Sequence, residues 1–386
     1  MFVAFRRSTP VFERKETYMF VLIGIGALLI YALLVFYIGW SGWSWMKPAV
    51  SLRFKFLYII SLVFIATSFI LSRVFGGISF LGIVGAYWMA AFSLLLMILP
   101  IAHLTIWLTR LTSLPRHRVN KWIGSITLLS FFALIAYGSF NAYSPVVRTY
   151  DIQINKTVPS TDSLNIVMVS DMHFGLLSGK KHAERMVKEI NALNPDIVLF
   201  PGDIIDDDLS IYLNKGIDRI LTDVRAPYGV FASLGNHDKH DGKMQELIEA
   251  LEQSNMHVLY DETIEINEEF FLVGRKDRTD SDRAEVAELM NGLDLSKPVI
   301  LLDHQPYDLG IAQEQGVDLM VSGHTHRGQI APGHLITRMI YENDWGHLQK
   351  GEFHSIVSSG YGFWGPPIRI GSRSELMQIK VTFDGA

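Results

Sequence analysis

The sequence predicts an amino-terminal α-helical membrane region with several spans, followed by a soluble α/β domain. Three observations carry this prediction: long uncharged stretches in the first 150 residues, alternating strand-like and helix-like segments after Asp151, and a reversal of charge between the two parts. Residues 1–150 have a net charge of +11, whereas residues 151–386 have a net charge of −16. We therefore divide the chain into a membrane region, 1–150, and a second domain, 151–386.

Four stretches of the first part contain no Asp, Glu, Lys or Arg and are candidates for membrane-spanning helices. They are residues 17–46, 56–72, 74–109 and 122–147. A spanning helix needs about 17–25 apolar residues, so the second stretch is at the lower limit. The third exceeds one crossing, which suits a tilted helix plus an interfacial piece. We expect Pro100 to kink that helix and His103 to face a neighbouring helix.

Basic residues in the loops predict the orientation. Four spans put both ends of the region on one side of the membrane. The loops on that side contain Arg6, Arg7, Arg14, Lys15 and Arg73, five charges against seven in the other two loops. The positive-inside rule then favours a second domain outside the cytoplasm, in an integral protein of the plasma (inner) membrane. Because the basic residues flank the spans, membrane lipids are expected partners, and no nucleic-acid-binding module is found in the sequence.

After Asp151 the pattern changes to short apolar runs that alternate with segments of helical spacing. The predicted strands are 164–170, 196–200, 229–234, 257–260, 298–302 and 317–321, with a hairpin over 263–274. The predicted helices are 181–194, about 243–254 and about 307–315. Such alternation is typical of a sheet covered by helices.

Five of these strands end in a polar cluster: VSDMH, FPGDIID, SLGNHD, LLDHQP and VSGHTH. Ligands of open α/β sheets bind beyond the carboxyl ends of the strands, so we expect the five clusters to converge on one edge of the sheet. Glycines precede Asp203, Asn236 and His324, and we expect them to allow sharp turns there. Each cluster alone fits an ordinary turn, but the joint occurrence indicates a metal site.

The clusters offer seven oxygen or imidazole donors: Asp171, His173, Asp203, Asn236, His304, His324 and His326. Seven donors are too many for one tetrahedral ion and suit two ions that share a carboxylate. The chain has no cysteine, and this donor set fits Mn, Fe or Zn better than Ca. Two such ions can share a hydroxide of lowered pKa and clamp the oxygens of a phosphoryl group.

The set D-x-H, G-D, G-N-H-D, H and G-H-T-H, in this order over residues 165–382, resembles the calcineurin-like metallophosphoesterase family. The resemblance implies a four-layer α/β/β/α sandwich with two central sheets and two divalent metal ions. It assigns one ion to Asp171, His173, Asp203 and His326. It assigns the other to Asp203, Asn236, His304 and His324, with Asp203 as the bridge.

Two residues beside the ligands receive catalytic roles from the resemblance. His237 would stabilise the transition state or protonate the leaving oxygen, and Asp238 would orient the His237 ring. A histidine satisfied within its loop is the structural alternative.

The carboxyl-terminal segment resembles a membrane-tied subgroup of the family, through Gly360, Gly362, Pro367, Arg369 and Glu375. Arg369 would either touch a substrate phosphate or form a structural ion pair. The chain departs from the subgroup at Arg327, where glycine is usual, and that side chain would meet an anionic group or point outward. Asp303, before His304, would support a ligand or be solvated.

The predicted activity is hydrolysis of a phosphodiester or a lipid-linked phosphate or pyrophosphate by a metal-bridged hydroxide. The alternatives are a nucleotide-linked glycolipid pyrophosphatase of envelope lipid synthesis and a non-catalytic membrane binding or scaffold protein. Three segments are expected to flank the site, 206–216, 278–289 and 334–354. In the first, Ile211, Tyr212 and Leu213 would contact acyl chains or pack beneath their loop.

Overall fold

The computed structural model describes residues 10–75, 78–206, 208–239 and 242–384. Arg6 and Arg7, which entered the prediction of orientation, lie outside these residues. The chain forms two compact units, of which the first ends at Ala133 and the second begins at Leu134.

Four long helices account for most of the first unit and continue into the start of the second. They are α1 (Pro10–Met46), α2 (Lys55–Val74), α3 (Ser79–Leu108) and α4 (Arg116–Tyr143). All four are long and apolar enough to cross a membrane, which confirms the predicted number of spans. Pro100 lies inside α3, and the helix continues beyond it. The expected interfacial piece is a single 3-10 turn at Thr109–Leu111.

His103 packs against α1, as predicted for a histidine inside a membrane region. Its Nδ1 lies 3.3 Å from the hydroxyl oxygen of Tyr37. The rings of Trp40 and Trp45 meet the imidazole edge to face, with centroids 5.6 and 5.9 Å away. These contacts give His103 a structural partner on a neighbouring helix.

The second unit contains two six-stranded sheets. Sheet I has the order β1-β12-β2-β3-β4-β5, and sheet II has the order β10-β11-β9-β8-β7-β6. The strands of sheet I are β1 (Val146–Ile154), β2 (Ser163–Met168), β3 (Ile197–Pro201), β4 (Val230–Ser233), β5 (Met256–Val258) and β12 (Glu375–Phe383). Those of sheet II are β6 (Glu262–Ile266), β7 (Phe270–Gly274), β8 (Val299–Leu302), β9 (Leu319–Ser322), β10 (Gly346–Lys350) and β11 (Phe353–Val357).

Seven further helices belong to this unit. They are α5 (Lys180–Ala192), α6 (Leu209–Asn214), α7 (Ile217–Leu221), α8 (Met244–Gln253), α9 (Val286–Leu289), α10 (Leu309–Glu314) and α11 (Gly333–Ile340). In α5 and α8 the apolar residues recur at helical spacing, so each helix buries one face against the strands.

Alternation along the strands separates the hydrophobic core into layers. In β2, Ile166 packs into the core between the sheets, whereas Val167 packs under the helices on the outer face of sheet I. In β8, Ile300 faces the central core and Leu301 faces the outer core with α10. Successive side chains of a strand point to opposite faces, so each strand serves two cores. The predicted four-layer sandwich is confirmed.

Strand β1 runs across residue 150, where we placed the boundary between the two predicted domains. It pairs in parallel with β12 over the nine residues from Val146 to Ile154. The uncharged stretch that we expected to extend to residue 147 therefore contains a helix ending at Tyr143 and the first residues of a strand. Val146 and Val147 are apolar enough to suit either a membrane helix or a strand. Their pairing with β12 places them in a strand.

The five strands with polar ends do not share one sheet edge as predicted. Strands β2, β3 and β4 belong to sheet I, and β8 and β9 belong to sheet II. The prediction was wrong because apolar runs do not reveal which strands pair. The carboxyl ends of the two sets nevertheless meet across the sandwich and bring the polar clusters together.

Candidate metal centre

The seven predicted donors lie in loops that follow five strands. The loop after β2 carries Asp171 and His173, and the loops after β3, β4 and β8 carry Asp203, Asn236 and His304. The loop after β9 carries His324 and His326. Each loop begins where a buried strand ends, so the sheets fix the starting point of every donor-bearing segment.

The first group of donors consists of Asp171, His173 and His326, whose ligand atoms lie within 4.8 Å of one another. The Nε2 atoms of the two histidines are 3.1 Å apart. His326 Nε2 is also 3.6 Å from Asp171 Oδ1. All three residues are buried.

The second group consists of Asp203, His304 and His324, again with ligand atoms within 4.8 Å. His304 Nε2 lies 3.2 Å from Asp203 Oδ2, and the rings of His304 and His324 are 5.1 Å apart at their centroids. Asn236 lines the same cavity as His324. The structure thus brings Asp203, His304 and His324 together and places Asn236 in the same cavity lining as His324.

One oxygen of Asp203 is shared by the two groups. Oδ2 lies 3.7 Å from His173 Nε2 and 3.2 Å from His304 Nε2. The other oxygen, Oδ1, accepts a hydrogen bond of 2.9 Å from the backbone N–H of His237. This hydrogen bond fixes the carboxylate, and Oδ2 faces a histidine nitrogen of each group.

Five of the seven donor residues have a left-handed backbone, with φ between 44° and 69°. They are Asp171, His173, Asp203, His324 and His326. This conformation costs a non-glycine residue about 1–3 kcal/mol, and such residues cluster at functional sites. The strain indicates that the position of these side chains is maintained against local preference.

Glycines allow the close approach of two carboxylates to neighbouring loops. A Cβ at Gly235 would lie 2.1 Å from Asp203 Oδ1, and a Cβ at Gly323 would lie 2.2 Å from Asp171 Oδ2. We expected Gly235 and Gly323 to allow sharp turns, but neither has a positive φ. Their role is steric, whereas Gly202, with φ of 84°, makes the predicted turn.

The donor set fits divalent cations. Asn236 Oδ1 is a buried atom with no hydrogen-bond partner among the described residues. Such atoms are costly unless another ligand satisfies them. Carboxylate, amide and imidazole donors without sulfur suit borderline ions such as Mn, Fe and Zn. The residues present therefore fit divalent metal binding.

The electrostatics of the site favour the protonation states that bind metal, which are neutral imidazole and ionised carboxylate. Burial lowers the pKa of His324 to about 4 and the pKa of His326 well below its ordinary value, so both imidazoles are neutral. Burial opposes ionisation of Asp203, but the charge of His304 holds the pKa of that carboxyl well below its usual value. Asp203 in turn raises the pKa of His304 to about 10, despite the burial of that ring. A metal ion would replace the His304 proton.

His237 stands beside the donors and next to an exposed aromatic ring. Its ring is 4.9 Å from that of His173 and 5.9 Å from that of Trp364, measured between centroids. Trp364 is 55% exposed. We did not predict Trp364, although an aromatic residue between two glycines in a loop near the site was a usable signal.

Asp238 does not have the contacts of a residue that orients the His237 ring. Its Oδ1 accepts hydrogen bonds from the backbone N–H groups of Ile204 and Ile205, and its Oδ2 accepts one from that of Gly235. The predicted role is corrected accordingly: the carboxylate ties the β3 loop to the β4 loop. Three backbone donors satisfy this fully buried group.

Arg327 and Arg369 have other partners than those predicted. The guanidinium of Arg327 lies over the ring of Trp345, 3.8 Å from its centroid. Arg369 is fully buried and bonds to Gly362 O and His326 Nδ1. Sequence reasoning missed this second contact because the two residues are 43 positions apart.

The remaining predicted residues are structural. Glu375 accepts hydrogen bonds from Ser359 N and Trp345 Nε1 and pairs with Arg148. Asp303 is buried and pairs with Arg275 at 3.2 Å and with Arg283, so it is not solvated.

The rim segments differ in what they present to solvent. Tyr212 of segment 206–216 is fully buried in the core beneath α6, which favours packing over contact with acyl chains. Leu213, the next residue, is 37% exposed. Segment 334–354 forms most of α11 and all of β10, and α11 has no buried residue.

Comparison with known proteins identifies the family. Residues 164–328 match the model of the calcineurin-like phosphoesterase family. An uncharacterised metallophosphoesterase of Aquifex aeolicus is 33% identical over 264 residues, which cover 65% of this chain and 97% of the relative. An uncharacterised metallophosphoesterase of Campylobacter jejuni is 30% identical over 275 residues, or 68% and 71% of the two chains.

A vertebrate relative carries the membrane character as well. A protein of Danio rerio described as a transmembrane protein with metallophosphoesterase domain is 28% identical over 270 residues, covering 66% of this chain and 61% of the relative. The four apolar helices agree with this similarity and associate the chain with a membrane. The loops that carry the clustered donors lie largely within the matched residues. The chain therefore belongs to the calcineurin-like metallophosphoesterase family and is a metal-dependent phosphoester hydrolase with an amino-terminal membrane region.

Proposed function

We propose that this protein hydrolyses a phosphodiester or a lipid-linked phosphate at a centre of two divalent metal ions. The observation that carries the proposal is the position of Asp203 Oδ2, which lies within 3.7 Å of a histidine nitrogen from each donor group. One ion would be held by Asp171, His173, Asp203 and His326. The other would be held by Asp203, Asn236, His304 and His324. We propose Mn, Fe or Zn as the bound metals.

The two ions, when bound, supply Lewis-acid activation of water and neutralise charge on the phosphoryl oxygens. The protein's own residues perform the remaining tasks. Asp203 is fixed by the His237 backbone N–H. The His237 imidazole stands beside His173 at the open side of the site and would donate a proton to the leaving oxygen.

A cavity beside the second donor group can receive the rest of the substrate. Its volume is about 560 Å³, and it is lined by Asn236, Lys239, Thr279, Asp280, Gln305 and His324. Cavities of about 300–1,000 Å³ are usual for small ligands. Lys239 Nζ lies 3.2 Å from Asp277 and 2.9 Å from Asp280, so its charge is already paired. Such a lining suits the uncharged or hydroxyl-rich part of an ester rather than a second phosphate.

The membrane region supports a lipid-linked substrate over a freely soluble one. An enzyme held at a bilayer meets lipid headgroups at high local concentration without capturing them from solution. We propose that the domain carrying the site lies outside the cytoplasm, at the plasma (inner) membrane. Tags at either end of the full chain, tested for access to an impermeant reagent in intact cells, would check this sidedness.

Hydrolysis is tested with the full chain in detergent. We expect turnover of bis-p-nitrophenyl phosphate with Mn²⁺ and loss of turnover after chelation, followed by recovery when Mn²⁺ is restored. The Asp203→Asn variant, prepared in the same detergent, is the matched control for a contaminating enzyme. A folded chain that binds two ions and yet leaves phosphodiesters and phospholipids intact would instead support the binding or scaffold function.

A further inference from the structure

Helix α11 presents an unusually apolar surface to solvent. Four of its eight residues are large and apolar, and none is buried. Their exposed fractions are 54% for Leu335, 61% for Ile336, 87% for Met339 and 54% for Ile340. The spacing i, i+1, i+4, i+5 groups these side chains on one side of the helix. We call them the α11 apolar face.

The opposite side of α11 is fixed to the domain. Thr337 Oγ1 donates a hydrogen bond of 2.7 Å to Asp344 Oδ2. The backbone oxygen of Asp344 accepts one of 2.7 Å from Thr325 Oγ1. Thr325 lies between His324 and His326, so Asp344 connects the helix to the metal centre. These bonds hold the α11 apolar face outward, away from any core that could cover it.

The segment before α11 rests on the segment that contacts the end of α4. Ala331 N donates to Ile370 O at 2.7 Å. A Cβ at Gly138 of α4 would lie 2.9 Å from Ile368 Cβ and 3.4 Å from Ile370 Cγ1. Helix α4 is one of the four helices apolar enough to span a membrane. The segment that precedes α11 is therefore linked through Ile370 to the last turns of α4.

Exposed aromatic residues occur on the segments that are linked to α11. On the last turns of α4, Tyr137 is 54% and Phe140 is 59% exposed. Trp364 is 55% exposed, and its backbone N–H and carbonyl both bond to the side chain of Gln329. Tyrosine and tryptophan are enriched where a protein meets the interface of a bilayer.

Basic side chains lie beside these apolar and aromatic residues. Arg338, on α11, is about half exposed. Arg373 lies over the ring of Phe140, 5.1 Å from its centroid, and bonds to Ser144 O. Apolar side chains flanked by arginine match a membrane surface that contains anionic headgroups.

We propose that the α11 apolar face, together with Trp364, inserts into the interfacial layer of an anionic lipid bilayer. This contact would hold the opening of the metal centre at the level of the lipid headgroups. The inference rests on the membrane association of the chain and requires no catalytic turnover.

The absence of cysteine from the sequence makes a direct test possible. The full chain carrying Met339→Cys is labelled with an environment-sensitive nitrobenzoxadiazole dye and reconstituted into vesicles of phosphatidylcholine and phosphatidylglycerol. Ile311→Cys, at a 42% exposed position on α10, is the matched control. Quenching is measured with lipids spin-labelled on the acyl chain and with aqueous iodide. The same labels on the Asp203→Asn background separate membrane contact from hydrolysis.

We expect the dye at residue 339 to emit at shorter wavelength and to be quenched by spin-labelled lipid at least ~2-fold more than the dye at residue 311, because inserted side chains reach the acyl boundary. Equal quenching of the two dyes by iodide, with no effect of spin-labelled lipid, would overturn the proposal. Protection from iodide without lipid quenching would also overturn it and would identify a second copy of the chain as the occupant. Absence of turnover in the labelled chain that retains Asp203, with lipid quenching present, would contradict the proposed function alone.

Discussion

Nη2 of Arg369 lies 3.0 Å from Nδ1 of His326 and 2.7 Å from the backbone oxygen of Gly362. The arginine is fully buried, and no carboxylate of the described residues lies within ion-pair distance of it. Burial lowers its pKa to about 10, and Glu375 and Asp171 oppose this from a greater distance. The guanidinium therefore connects the carboxyl-terminal loop to a proposed metal ligand.

Arg369→Lys should destabilise the fold and reduce metal occupancy. Lysine keeps the charge but cannot bond to Gly362, Ser372 and His326 together, so we expect a loss of about 2–3 kcal/mol in the free energy of unfolding. Urea unfolding in detergent and elemental analysis measure the two effects. Arg373→Lys, at a half-buried position of the same loop, should cost less than about 1 kcal/mol and leave the metal content unchanged. Equal effects of the two variants would contradict a role in positioning His326.

Asp203→Asn should weaken both metal positions and abolish turnover. The amide removes the charge that both donor groups share, so elemental analysis should show loss of both ions rather than one. Asp277→Asn is the control, because Asp277 is also buried near the site but bonds to Lys239, Thr279 and Gln305. Full metal content in the Asp203 variant would rule out the proposed bridge.

His237→Ala should retain the metals and slow hydrolysis by about 10²–10⁴-fold, the usual contribution of a positioned acid or base. The imidazole has no place in the two proposed ligand sets, so removing it leaves both intact. Rates with bis-p-nitrophenyl phosphate and elemental analysis on the same sample provide the measurement. His257→Ala, at an exposed histidine paired with Glu262, should leave both unchanged. Metal loss in the His237 variant would make this residue a ligand instead.

His182 should make the second unit sensitive to acid. It packs between the rings of Tyr143 and Tyr361, and burial lowers its pKa to about 4. From about pH 6.5 down to about pH 4 the unfolded chain binds a proton that the folded chain does not. The contribution of neutral His182 to the free energy of unfolding is therefore complete above pH 6.5. It falls as the pH drops, by about 3 kcal/mol in total.

Urea unfolding of wild type and His182→Gln at about pH 7 and pH 4.5 tests this expectation. The variant loses packing at both pH values. The difference in the free energy of unfolding between wild type and variant should nevertheless be about 2 kcal/mol smaller at the lower pH. A difference that does not change with pH would mean that His182 is protonated in the folded chain.

Much of the site could be predicted from the sequence because its donors follow buried strands. Short apolar runs that end in Asp, Asn or His indicate both the strand and the position of the donor, as at Asp171 and His324. The division of those strands between two sheets could not be predicted, because the pairing of β2 with β12 joins segments more than 200 residues apart. The same limit hid β1, whose apolar start continues the pattern of α4.

The directions of the Arg327 and Asp238 side chains could not be predicted from the sequence either. Arg327 has a left-handed backbone, with φ of 49°, and this turn carries its guanidinium to Trp345. Asp238 follows His237 directly, which suggested a contact between their side chains. The compact turn after β4 instead aims the carboxylate back at three backbone N–H groups. Both outcomes depend on local backbone geometry that residue types alone do not determine.

The position of β12 between β1 and β2 has a consequence for biosynthesis. The last strand of the chain is an interior strand of sheet I, pairing with β1 over nine residues and with β2 over six. These residues are synthesised after the four apolar helices and after the other strands of sheet I. Sheet I can close only once β12 has left the ribosome, so products that stop before residue 375 would reach the membrane with unpaired edges on β1 and β2.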